Sequence, residues 1–528
     1  MRCAMSDRGI EIGLRGIAAP GWESMSKSRL KRSVAFWVFG IWVPFASGCL
    51  VGPNYHPPQV QVPAKWDGVS TAPTSGTSAT VPEAVGFVEW WQNFKDPVLD
   101  SLINQAVQAN LNLRQAEARI LQARAARAVT ASGVWPTVDA SGSAARSRSP
   151  GGAAQSAEPK AHNLFQAGLD AAWELDLFGG VRRSIEAADS SSQAFVEARR
   201  DLLVTLTAEV ATSYIQLRGL QQQIAITKKN LETQQSTAEV TRKRFQVGFV
   251  SRLDVANAEA QVATTLSLIP PLEASARQAM YSLGVLLGRE PAALLAELSP
   301  EKAIPGTPPA VPVGLPSDLL RRRPDIRLAE ANIHTATAQI GVATADLYPR
   351  FSLTGTLGAQ ATTFGAAGGA NGGFWSFGAG VLWPVFNAGR IRANIRLQDA
   401  VQQEALLAYQ QTVLTALQDV ENALVAYEKE QQHRAALADA VTSNRTAVDL
   451  SMRLYIQGET EFLNVLSAQR NLFVTEDALA QSDTAMATDL VALFKALGGG
   501  WEPFPEPKAG SSGQPASKAS PAPPPSGN

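Results

Sequence analysis

The chain has 528 residues, 45% of them hydrophobic but only 7% aromatic, and a formal net charge of −1. That balance offers no basic face for nucleic acid. Two cysteines, Cys3 and Cys49, form neither a disulfide framework nor a CxxC pair, and the histidines His56, His162, His334 and His433 have no metal-ligand spacing. With no GxxxxGKS/T loop and no GxSxG elbow, the residues point to no catalytic centre, cofactor or metal.

From Met25 the chain reads as a secretory signal. Lys27, Arg29, Lys31 and Arg32 precede an apolar run, Val34 to Phe45, which is too short for an ordinary transmembrane helix. Residues 1–24 lack this character, so Met25 is the expected start. "ASGC" (46–49) places a cysteine where a bacterial lipoprotein signal has its acylated residue, which makes Cys49 the expected lipidation site. Residues 49–89, rich in Pro, Ser, Thr and Gly, read as a lipid-anchored extended tether.

Two repeats follow, 90–290 and 319–503, joined by a Pro-rich linker at 291–318. Residues 113–136 match 326–349 at an offset of 213, with Arg114 on Arg327, Glu117 on Glu330 and Pro136 on Pro349. Downstream the offset is 210: Trp173 on Trp383, Val210 on Val420, Gly288 on Gly498. In each copy an alternating stretch comes first. Phe165, Leu169, Trp173, Leu175 and Leu177 share one face of 163–177, and Trp375, Phe377, Val381, Trp383 and Val385 share one face of 374–386. Residues 350–360 alternate likewise and 137–149 do so weakly. Strands of about ten residues with aromatics near one end fit a transmembrane β-barrel; a soluble sandwich face is the alternative for the strands taken alone.

A long helix follows each strand pair. Leu203, Leu206, Val210, Leu217, Leu220, Ile224 and Leu231 fall on the seam of a coiled coil, and no proline interrupts 182–269 or 385–502. From Arg182 to Val247 a continuous helix would run roughly 100 Å. Gly248 and Gly458 then end the outgoing helices, and the return helices begin near Ser251 and Glu461, giving one hairpin tip per repeat. The tail, 504–528, lacks the apolar content for a core and reads as disordered. Four strands cannot close a barrel, and an open edge cannot sit in lipid, so the chain must join copies of itself.

"CLVGPNY" (49–55), "WWQNFKDPVLDSLI" (90–103), "LLRRRPDIRLAEA" (319–331), "WPVFNAGRIRANI" (383–395) and "KALGGGWE" (495–502) resemble the outer-membrane lipoprotein channels of tripartite multidrug efflux systems. The resemblance covers roughly residues 49–503. It implies a mainly α fold with a β portion: a homotrimeric α/β barrel, each chain giving four transmembrane β-strands and long coiled-coil helices. It further implies a cell outer-membrane location, lipid-anchored and extending into the periplasm, with a periplasmic adaptor and an inner-membrane resistance–nodulation–division pump as partners. The implied function is a passive, gated conduit for drugs or other small toxic compounds.

By motif, the resemblance puts the periplasmic gate at Leu463, Asn464, Ser467 and Tyr455, with Leu463 in an apolar constriction. Ser467 stands where the family commonly has Asp, so a carboxylate ring is missing there. The adaptor-contact tips are Val247, Gly248, Phe249, Gln457, Gly458 and Glu459. "RRRPD" reads as structural, Pro324 suiting a helix start and Asp325 its dipole. The competing readings are a duct for type I protein secretion or heavy-metal efflux, and a periplasmic coiled-coil scaffold without a pore. An enzyme is the weakest reading, since no convergent nucleophile, base or ligand set occurs.

Overall fold

The computed structural model describes residues 49–67, 79–81, 88–148, 161–308, 310–363 and 372–506. The expected signal segment therefore lies outside the described residues, as does the tail beyond residue 506. The described residues from Leu50 onward form one compact unit.

Each repeat runs from short helices into two strands and then a long helical hairpin. In the first, Asp96 accepts from Val98 N at 2.9 Å and caps α1 (Pro97–Ala109), with Pro97 in the first turn. After α2 (Leu111–Ser132) come β2 (Thr137–Arg148) and β3 (Ala161–Leu175), preceded in the chain by the short β1 (Ala79–Val81). Then come α3 (Gly180–Gln246) and α4 (Arg252–Leu286), the latter running on through Pro270 and Pro271. The linker contributes β4 (Ala310–Pro312), parallel to β1. The second repeat has α5 (Pro316–Arg322), α6 (Pro324–Ala345), β5 (Arg350–Ala361), β6 (Gly373–Leu382), α7 (Arg390–Gln457) and α8 (Phe462–Ala496). Pro384 stands two residues beyond β6, so Val385, expected on its apolar face, falls outside the strand; Leu177 likewise lies past the end of β3.

Four strands form one antiparallel sheet in the order β2-β3-β5-β6. The register puts Leu169 opposite Leu357, and Leu357 opposite Trp375, so the apolar residues of all four strands share a face. The other face carries Asp139, Asp170, Glu174, Ser352, Thr354 and Thr356. There the Asp170 carboxylate accepts from Ser141 Oγ at 2.8 Å and from Thr356 Oγ1 at 3.1 Å. Among the described residues nothing covers the apolar face: Trp375 is 71% and Phe377 79% exposed. All four helix connections leave from one end of the sheet. At that end the two repeats make the same bond, Trp173 Nε1 to Val134 O at 2.9 Å and Trp383 Nε1 to Leu347 O at 3.0 Å.

The main core lies where the short helices pack on the long ones. Trp90, Trp91, Phe94, Leu99 and Ile103 bury against Leu206, Val210, Tyr214 and Leu217 of α3 and Leu490 and Phe494 of α8. Further along α3 the buried row changes character. Past Ile224 it runs through Thr227, Asn230, Gln234, Thr237 and Thr241, while Leu231 is only half-buried. The buried row takes two successive three-residue steps, from Ile224 to Thr227 and on to Asn230, which leaves Leu231 beside the contact instead of in it. Asn230 and Thr237 face α8 there, bonded to Glu476 and Gln469.

Residues 51–55 and 504–506 dock on this body. Arg183, almost fully buried, donates to Val51 O at 3.1 Å, to Asn54 Oδ1 at 2.8 Å and to Glu186 at 2.7 Å. Tyr55 stacks on His334 with centroids 4.2 Å apart and donates to Glu330, and burial with that carboxylate raises its pKa. The tail begins later than residue 504: Phe504 stacks on Trp91, and Glu506 pairs with Arg200 and Arg124, because an aromatic ring and a carboxylate find partners before the Pro/Ser-rich stretch begins. Gly52 has φ +87° and a side chain there would meet Gly341 Cα at 2.5 Å. Gly52→Ala should therefore undock residues 50–55, read as faster proteolysis of the tether with the helical body intact.

Candidate functional site: the hairpin tips

The two tips are built alike. Gly248 (φ +80°) and Gly458 (φ +83°) take the left-handed conformation that favours glycine. Phe249 N donates to Arg244 O at 2.9 Å and Gly248 N to Phe245 O at 3.0 Å; Glu459 N to Leu454 O and Gly458 N to Tyr455 O repeat the pattern at 2.9 and 3.1 Å. This is the Schellman termination, which satisfies carbonyls that a helix end leaves bare. The return helices start differently. Ser251 and Asp254 cap each other's backbone N–H groups, whereas Glu461 makes no side-chain cap.

A second, small core holds the tips. Tyr455, Phe462 and Val465 bury with Ala238 and Ala258, apart from the main core. Tyr455 is 2% exposed, with its ring 5.6 Å from Phe462 and its hydroxyl donating to Thr241 Oγ1 at 3.4 Å. Arg244, at the end of α3, reaches across to the end of α7. Its Nη1 donates to Tyr455 O at 2.5 Å and Ile456 O at 3.1 Å, and the guanidinium lies 4.6 Å from the Tyr455 ring centroid. A cation on the last carbonyls of a helix also opposes the negative end of its dipole.

The structure thus separates the residues singled out by sequence. Tyr455 is buried under Arg244 and Phe462, whereas Leu463, Asn464 and Ser467 are exposed, Leu463 and Ser467 one turn apart on the same face of α8. Val247, Gly248, Phe249, Gln457, Gly458 and Glu459 are all exposed at the turns, apolar at the first tip and polar at the second. Cys49 is exposed and unpaired. Arg244 was not legible as a site residue. It aligns with Leu454, a place where the repeats diverge, and that divergence is the only signal the sequence held.

"RRRPD" lines a different feature, a cavity of about 440 Å³ between α3, α6, α7 and α8. Arg323 forks onto Asp325 at 2.7 Å and Asp419 at 3.2 Å and donates to Ala496 O at 3.0 Å, tying three helices together. Burial alone would lower its pKa, but the two carboxylates outweigh that and raise it. Asp201 and Asp489 line the same cavity and are shifted upward, mainly by burial. Among the described residues no cluster of His, Cys, Asp or Glu has metal-binding geometry. The motif is a clasp, with Pro324 opening α6 and Asp325 in its first turn as expected.

Comparison with known proteins bears directly on this architecture. The outer membrane efflux protein family model matches residues 102–289 and 315–499, one block per repeat. The chain belongs to that family. It is 33% identical over 457 residues to nodulation protein T of Rhizobium leguminosarum bv. trifolii, covering 87% of this chain and 96% of the relative. It is also 33% identical over 482 residues to the probable efflux pump outer membrane protein TtgC of Pseudomonas putida, with 90% and 96% covered. The outer-membrane channel OprN superposes with a TM-score of 0.80 at 37% identity, covering 86% of this chain and all of that one. The protein is thus an outer-membrane efflux channel, a homotrimeric α/β barrel whose sheet spans the membrane and whose helices extend into the periplasm. Efflux channels of this family work within tripartite assemblies. Among the described residues no helix is long and apolar enough to cross a membrane.

The Arg244 contact gives a direct test. A charged hydrogen bond of this kind contributes about 1–2 kcal/mol once its partial exposure is allowed for. Arg244→Met should loosen the tip core, read as roughly 5- to 30-fold faster hydrogen exchange of the amides around Tyr455 and Phe462.

Proposed function

We propose that the channel is a passive conduit, without chemistry of its own, whose periplasmic end is closed by the hairpin tips and opened by an adaptor that grips them. The observation that carries this reading is the graded packing of the long helices. A large apolar core sits at one level and a small one at the tips. Between them the buried row of α3 is polar, and the Gln234 amide has no hydrogen-bond partner among the described residues. A polar seam gives up little hydrophobic burial when it shifts, so the tips can move while the body stays fixed.

In a trimer, the exposed Leu463 side chains would form one ring and the Ser467 hydroxyls another. Without a carboxylate at that level, closure relies on apolar side chains that exclude water and ions by dewetting. Tyr455 acts from behind, holding the start of α8 against the end of α7 through Phe462 and Arg244. Asn464 bonds Thr460 within its own turn and stiffens the helix start.

Val247 and Phe249 offer an adaptor an apolar knob, and Gln457 and Glu459 offer hydrogen-bonding groups, so the two tips present alternating chemistry around the mouth. The compounds moved are small toxic molecules delivered by an inner-membrane pump. The channel supplies no energy and exerts its control through the width and wetting of its mouth. Leu463→Ser should raise single-channel conductance in a planar bilayer, because a hydroxyl ring admits water where a leucine ring does not. A current indistinguishable from the parent's would contradict the constriction.

A further inference from the structure

The apolar face of the sheet does not stay apolar to its far end. On β2 the residues that share the lipid-facing side with Val138, Ala140, Gly142 and Ala144 continue as Arg146 and Arg148. The register confirms their side: Arg146 stands opposite Asn163 and Arg148 opposite Ala161, which are in phase with Phe165 and Leu169. Both arginines are exposed, and among the described residues neither makes an ion pair. Their cross-strand partners are small, so the guanidinium groups are uncovered.

Their height on the barrel follows from strand geometry. Val138 to Arg148 is ten residue steps of β2, about 33 Å along the strand and about 25 Å of height at the usual tilt. That matches the apolar band of an outer-membrane barrel. The helices leave from the other end of the sheet and occupy the periplasm, so the arginines reach the rim in the outer leaflet. β2 runs toward that rim and β6 away from it. Closure against the next chain therefore pairs them antiparallel. A cation on a lipid-facing strand destabilises a barrel at mid-membrane but not near the interface, and there it needs an anion.

We propose that Arg146 and Arg148 form a docking surface for the phosphate groups of outer-leaflet lipid, the phosphorylated sugar headgroups of lipopolysaccharide. Guanidinium forks bind phosphate through paired, charge-assisted hydrogen bonds. Three chains present six arginines, so several lipids bind around one barrel, and the rim is held in the leaflet by charge as well as by apolar contact.

The test uses the purified full-length trimer and counts retained lipid by native mass spectrometry. The probes are bisphosphorylated lipid A, the same lipid with its phosphates removed, and phosphatidylethanolamine. The parent should retain the bisphosphorylated form selectively. R146Q/R148Q should lose roughly thirtyfold in retention, from about fivefold for each of the two surface cations. Adding S147R to that variant moves a cation to the polar face and should restore nothing. Equal retention by parent and double variant, equal retention of the dephosphorylated lipid, or rescue by S147R would overturn the proposal. Should the double variant fail to form heat-modifiable trimers, the single variants R146Q and R148Q give the same reading, each with a smaller loss. Bilayer conductance of each variant separates this outcome from a failure of the channel itself, since the rim lies far from the tips.

Discussion

Backbone hydrogen bonding sets the terms for the whole molecule. The sheet has two free edges, β2 and β6, whose outward N–H and C=O groups have no strand partner among the described residues. In hydrocarbon each such group costs several kcal/mol, and with strands of ten to twelve residues an unpaired edge costs on the order of tens of kcal/mol. No apolar side chain offsets a deficit of that size. Alternation of strand direction provides the remedy, because an even number of up-and-down strands leaves edges that run opposite ways. The last strand of one chain can therefore pair with the first of the next in the same antiparallel sense used inside the chain, and three sets of four close a cylinder.

The helices inherit the same geometry. Every strand hands its chain to a helix at one end of the sheet, so three copies of the sheet organise three copies of the helical bundle around one axis. Trp173 and Trp383 mark that junction with matching bonds in the two repeats, and Arg183 and Tyr55 secure the tether beside it. Below, stability is distributed unevenly. Trp90, Trp91 and the α3 leucines fix one level, the Arg323 clasp ties three helices nearby, and the tips depend on Tyr455, Phe462 and one arginine. The proposed gate at the tips draws on this contrast between a rigid body and lightly held ends.

Much of this was readable in the residues. The strands announced themselves by alternation, the tips by glycines 210 positions apart, and the pairing of Trp173 with Trp383 by the same offset. Their signals are local: a period of two, a positive φ, a repeated motif. What escaped was long-range or accumulated. Leu231 lies where a strict heptad count puts a seam residue, and only the packing reveals that the buried row shortens its step there and runs through Asn230 and Gln234. Arg244 gains its role from carbonyls 211 and 212 residues away, and Arg323 from Asp419 and Ala496. Phe504 and Glu506 sit in a stretch whose composition reads as tail, yet each has a partner fixed elsewhere in the fold.

Closure of one barrel by three chains is most directly tested at the sheet edges. Within a chain β2 and β6 are three strand spacings apart, about 14 Å, beyond the reach of a shorter bifunctional thiol reagent. With cysteines at Ala140 on β2 and Ala379 on β6, both on the lipid-facing side, such a reagent applied to outer-membrane vesicles should produce covalent dimers and trimers. Either cysteine alone should give none. Exclusively monomeric chains from the double variant, in a protein that is otherwise folded, would contradict the shared barrel.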